Sequence, residues 1–169
     1  MNFKEIKPEE LMMNPFSKIG KEWMLITAGD ENGHNTMTAS WGGLGVIWNK
    51  NAATAYIRQT RYTKEFVDAN QYFTLSFYGP QHRQALNICG TLSGRDTDKE
   101  AKAGLTPYYV DGTTAFEEAY LIFVCKKLYH QFMPPENFDT PGIDEKNYSD
   151  HDYHSMYIGE IVRILQKED

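Results

Sequence analysis

Apolar positions in this chain recur mostly with the two-residue period of strands rather than the longer period of helices. Residues 23–28 form an apolar run that closes on Asp30-Glu31-Asn32-Gly33, where Asn-Gly predicts a hairpin into a second strand over residues 35–40. Residues 52–58 alternate, with Thr54, Tyr56 and Arg58 on one face and Ala53, Ala55 and Ile57 on the other. The clearest strand spans residues 72–78, where Phe73, Leu75 and Phe77 oppose Tyr72, Thr74, Ser76 and Tyr78. Residues 120–127 are apolar on both faces, as in a central strand. A last strand over residues 156–165 carries Gly159 where a side chain would press on a neighbour. Helical spacing is confined to short pieces: residues 64–70, and residues 81–89 with Ala85, Leu86 and Cys89 on a face with His82. A third short helix follows Thr97 and Glu100, which have capping-box spacing. Residues 130–150, with Met133-Pro134-Pro135 and Pro141-Gly142, predict an irregular excursion of the kind used as a lid or binding element. Several short strands with few helices predict a mainly β protein, a closed barrel with short helical insertions.

Composition narrows the setting. The 169 residues, 41% hydrophobic, fit a single domain over 1–169 with a sizeable core, and neither repeats nor linkers divide it. A net charge of -6 argues against nucleic acid or an anionic membrane as partner. Two cysteines without a CxxC pair, no apolar leader and no run of transmembrane length predict a cytoplasmic protein with reduced, buried thiols.

Two stretches carry candidate chemistry. In the first, Asn35, Met37, Thr38, Ala39, Ser40 and Trp41 run into Gly42-Gly43. Small side chains beside the backbone, a tryptophan wall and glycines suit a flat polar heterocycle gripped at its edge by main-chain amides; an ordinary strand ending in a glycine turn is the better reading of these residues taken alone. In the second, Arg58, Thr60, Arg61, Tyr62, Thr63 and Lys64 precede a helix, with Thr63 as N-cap and Tyr62 and Val67 as a hydrophobic staple. Arginines at a helix N-terminus make an anion site; the plain alternative is a solvated basic patch. A ring-edge site followed by a phosphate-type site points to a mononucleotide. Further on, Cys89-Gly90 leads to Ser93, Gly94 and Arg95, either a second phosphate or ribityl contact or a plain loop with a helix cap. His151 and His154 lack further ligands at metal-site spacing, so no metal is expected. Dinucleotide and P-loop glycine patterns are absent.

Residues 35–41 (NTMTASW), 58–64 (RQTRYTK) and 152–161 (DYHSMYIGEI), in that order, resemble the flavin reductase-like family of FMN-binding split barrels, nearest its flavoredoxin-type branch, over residues 14–165. Trp41-Gly42-Gly43 replaces the serine- and phenylalanine-rich continuation of the better-known reductases and matches that branch. The resemblance implies a split β-barrel that binds FMN, with NADH or NADPH delivering hydride to the flavin. It implies amides of residues 38–41 at the pyrimidine edge and Arg58, Arg61, Thr63 and Lys64 at the phosphate. The loop of residues 89–95 would lie near the flavin, and His154, in the family position five residues before the glycine of the last strand, near the nicotinamide. A homodimer with the cofactor near its interface is implied as well. The alternatives are a flavoredoxin-like electron carrier serving a redox partner protein, without efficient NAD(P)H turnover, and a barrel kept only as an interaction module.

Overall fold

The computed structural model describes residues 2–168. Its strands are β1 (Phe3–Ile6), β2 (Met24–Asp30), β3 (Gly33–Ala39), β4 (Gly42–Ile47), β5 (Lys50–Arg58), β6 (Tyr72–Phe77), β7 (Pro107–Val110), β8 (Thr113–Phe116), β9 (Leu121–Phe132) and β10 (His154–Lys167). The helices are short: α1 (Pro15–Ser17), α2 (Tyr62–Ala69), α3 (Arg83–Thr91), α4 (Lys99–Ala103) and α5 (Ile143–Asn147). Antiparallel ladders order the main sheet β3-β2-β6-β9-β10-β5-β4, and β1 adds to the far half of β10 beyond the stretch that pairs with β5.

The two-residue period explains how the sheet wraps. Phe73, Leu75 and Phe77 of β6 pack with Leu121, Phe123 and Cys125 of β9 in one buried cluster. The intervening Ile122 and Val124 face a second cluster with Leu86 and Cys89 of α3 and Phe116 of β8. β9 is thus apolar on both sides because α3 and the β7–β8 hairpin cover the outside of the sheet. At Gly159 the ladder with β9 slips by a bulge, and a Cβ there would stand 2.8 Å from the Phe73 ring. The expected close neighbour is this ring.

Several local expectations are corrected. Among the described residues no ladder joins β3 to β4, so the barrel is split rather than closed, and Ser40-Trp41 alone bridges its two edge strands. Gly42, Gly43 and Gly45 belong to strand β4, not to a turn. The hairpin after β2 turns on Glu31-Asn32, with Asp30 and Gly33 as its closing pair; the Asp30 carboxylate accepts from the Asn32 amide at 2.8 Å. α2 starts at Tyr62 with Arg61 as N-cap, which places Thr63 inside the helix and buries it. α4 is capped by Asp98, whose carboxylate accepts from the Ala101 amide at 3.0 Å, in place of a Thr97–Glu100 box; Glu100 is drawn to His34 instead, at 2.8 Å. α3 begins at Arg83, leaving His82 at its cap. β9 continues to Phe132, so the excursion begins three residues later than expected and contains α5. The β7–β8 hairpin, turning on left-handed Asp111 and Gly112, has no counterpart among the sequence expectations, although Asp-Gly is a strong turn signal.

Candidate functional site

The split in the barrel is where the site forms. β3 pairs with β2 on one side only, so alternate backbone amides and carbonyls along its other edge have no strand partner. Facing that edge are the end of β5 and the start of β10, locked together by the pairing of Arg58 with His154. A cavity of about 260 Å³ opens between them. One wall is Met37, Thr38, Ala39, Ser40 and Trp41; the other is Tyr56, Arg58 and His154; Arg61 and Gly90 close the end. Ten residues line the cavity, and nine of them are positions singled out from the sequence; Tyr56 is the tenth, and its place on the Arg58 face of β5 was the signal for it.

His154 is 7% exposed and its ring centre lies 5.1 Å from that of Trp41. Its Nδ1 is 2.7 Å from the Tyr148 hydroxyl. A phenol is a far stronger acid than the N–H of a neutral imidazole, so the hydroxyl donates to Nδ1 and the hydrogen of the neutral ring is on Nε2. Burial, and then the charge of Arg58, lower the imidazole to about 4. A neutral donor imidazole is therefore presented at neutral pH.

Arg58 is engaged mainly in holding the excursion. Its guanidinium donates to the carbonyls of Asp152 and Asn147, each at 2.9 Å, pairs with Asp150 at 3.4 Å, and lies 5.1 Å from the Tyr148 ring centre. Arg61 is freer: it donates to the Gly90 carbonyl at 3.1 Å, and burial lowers its pKa. A smaller cavity of about 130 Å³ adjoins through Arg61, lined by Thr60, Tyr62, Thr63, Ser93 and Lys99. Lys99 was missed by sequence reasoning because a lysine in a charged helix reads as solvated, yet it is 3% exposed.

The remaining predicted residues stand apart. Asn35 is buried and accepts from the Thr63 hydroxyl at 2.8 Å, and a Cβ on Gly94 would run into its amide. Lys64 pairs with Asp68 at 2.7 Å. Arg95 lies 4.6 Å from the Tyr62 ring centre and pairs with Glu65. The Cys89 side chain is buried in the second cluster and its thiol is pushed up to about 11. A third cavity, of about 460 Å³ and more apolar, shares Ser40, Trp41 and Tyr56 with the first and is walled by Phe16, Ile19 and Leu44.

Residues 16–169 match the model of the flavin reductase like domain. The chain belongs to that family. Among solved structures, flavoredoxin of Desulfovibrio vulgaris (Miyazaki F) superimposes with a TM-score of 0.68 at 21% identity, covering 86% of this chain and 69% of that one. Flavoredoxin from Methanosarcina acetivorans gives 0.68 at 19% identity, over 95% and 76% of the two chains. The FMN-binding protein of Thermus thermophilus with bound 1-cyclohex-2-enone gives 0.67 at 16%, over 96% and 80%. No curated protein matches the chain in sequence. The flavin reductase-like split-barrel fold is thus common to this chain and these three structures.

Proposed function

We propose that this flavin reductase-like domain binds FMN with its ring system in the cavity at the split and its phosphate toward Arg61, and that it acts as an NAD(P)H-dependent flavin oxidoreductase. The observation that carries the proposal is the convergence, around one cavity, of the unpaired β3 edge, the Trp41 and His154 rings and the Arg61 guanidinium. The donor set fits the group: amides and the Ser40 hydroxyl for a pyrimidine edge, aromatic walls for a flat ring, a half-buried cation for a phosphate. Bound FMN would supply the redox chemistry, accepting hydride from NADH or NADPH and passing electrons onward. The chain's part is to bind and orient. Main-chain donors of residues 38–41 would stabilise negative charge at the ring edge, and Trp41 would fix the ring plane. His154, held by Tyr148, would offer Nε2–H at the mouth of the cavity without carrying charge at neutral pH. The apolar cavity that shares Trp41 and Tyr56 offers room beside the flavin for a second ring, which supports direct reduction by a nicotinamide.

A second proposal is a flavoredoxin-like electron carrier. It is favoured by the exposure of Phe16 and Trp41 on the rim, where a partner protein would approach. Both proposals include a homodimer, supported by the exposed Phe16, Val46 and Trp48 on the β4 side of the site. Adding NADH or NADPH without air to the FMN-loaded protein separates them. Bleaching within seconds supports the oxidoreductase, and bleaching by dithionite alone supports the carrier.

A further inference from the structure

His34 of β3 lies where the β2–β3 hairpin meets α4, and both of its ring nitrogens face acceptors. Nδ1 is 3.1 Å from the Asp30 carbonyl oxygen, and Nε2 is 2.8 Å from the Glu100 carboxylate. A neutral imidazole carries one hydrogen and can serve only one of these; the other nitrogen would turn a lone pair on an oxygen. Only the imidazolium satisfies both contacts at once. The two side chains are 13% and 15% exposed, so little water is at hand to replace a lost contact. α4 is tied to α3 as well: Lys99 Nζ donates to the carbonyls of Cys89 and Leu92, each at 3.2 Å. Those carbonyls flank Gly90, which closes the end of the site cavity. One chain of contacts therefore runs from β3 through His34, Glu100 and Lys99 to the end of α3.

We infer that His34 and Glu100 form a pH-released clamp that holds α4, and through Lys99 the Gly90 end of the site cavity, against β3. Closed, the imidazolium donates Nε2–H to Glu100 and Nδ1–H to Asp30. Once the ring is neutral, one contact becomes a lone pair facing an oxygen, and α4 opens more often. The Glu100 hydrogen bond, opposed by burial and helped by Asp30, raises the imidazolium above its usual 6.5. The clamp is therefore complete below pH 6.5 and is lost as pH rises through the higher folded value. Replacing a charge-assisted contact by a neutral one corresponds to roughly ten-fold in opening. Glu31, Asp98 and Lys99 line the cavity beside His34, and the Tyr109 and Phe116 rings stand edge-on at 5.8 and 6.4 Å. Lys99, lowered to about 8 by burial and then by Arg61, titrates in the same range and is therefore kept in every variant.

The test titrates the His34 ring by proton NMR, assigned with His34→Ala, and reads hydrogen-exchange protection of the Lys102, Gly104 and Leu105 amides, which bond within α4 and at its end. Protection is corrected for the intrinsic pH dependence of exchange. His34 should titrate above 6.5, and wild-type protection should fall roughly ten-fold across its midpoint. In Glu100→Gln the new amide can donate to Nε2 of a neutral ring while Nδ1–H still serves Asp30, so protection should stay high throughout. In His34→Ala it should be low throughout. A midpoint at or below 6.5, or the same fall in the wild type and both variants, would overturn the inference. If His34→Ala does not fold, the histidine resonance moved by Glu100→Gln identifies the ring, and that variant's profile decides. The effect at the site rests on the FMN-binding proposal. FMN should leave the wild type several-fold faster above the midpoint, with a smaller pH dependence in Glu100→Gln; equal dependence would sever α4 from the site. If the wild type binds no flavin, the FMN proposal falls while NMR and exchange still read the clamp.

Discussion

At the scale of single residues, His154 ties the site to pH. In the fold its imidazole is lowered from 6.5 to about 4, so above pH 6.5 it is neutral in both folded and unfolded chains. As pH falls from 6.5 to about 4 the unfolded chain gains a proton that the folded one refuses, and stability is lost across that window. The full effect is on the order of 3 kcal/mol. In urea titrations at pH 7 and pH 4.5, a His154→Gln variant should lose less stability between the two than the wild type; equal losses would show that the imidazole is not buried neutral. Gly42 gives a second prediction. A Cβ there would stand 2.9 Å from both Met24 Cε and the Thr54 carbonyl, whereas at Gly43 it would meet open space. Gly42→Val should cost roughly 1–3 kcal/mol and Gly43→Val much less, read from melting curves. The reverse order would mean that β4 is seated differently. The sequence pointed to the glycine cluster but not to which member is confined, because confinement at Gly42 comes from residues on β2 and β5.

At the scale of elements, the segment between β9 and β10 is held by Arg58, whose guanidinium ties the carbonyls of Asn147 and Asp152 to β5. Tyr148 in turn fixes His154. Arg58→Ala should free this segment, seen as faster proteolysis within residues 139–152, and should slow reduction by nicotinamide through a misplaced His154 more than it weakens FMN. A large loss of FMN with unchanged proteolysis would return Arg58 to the phosphate role implied by the resemblance. Strand-forming patterns were legible wherever a strand is buried on one or both faces, as in β5, β6 and β9. Helix starts were not. Thr63 looks like a cap by type, but Asn35, twenty-eight positions away, claims its hydroxyl. The Thr97–Glu100 pairing fails likewise, because His34 draws Glu100 across to β3. Local signals lose where a distant partner offers a better hydrogen bond.

At the scale of the whole molecule, order of motifs rather than any one of them made the family legible: the three stretches at residues 35–41, 58–64 and 152–161 come together only in three dimensions, around the split. The homodimer is tested by sedimentation at about micromolar concentration, where the proposal expects twice the chain mass and a value near 19.5 kDa would contradict it. The central claim is that the cavity between β3, β5 and β10 holds FMN. Titrating FMN with the purified chain and following flavin fluorescence tests it most directly. Saturable quenching at one FMN per chain, with a red-shifted or structured visible band on binding, is the predicted result. Flavin fluorescence and absorption unchanged at a large excess of folded protein would contradict the account.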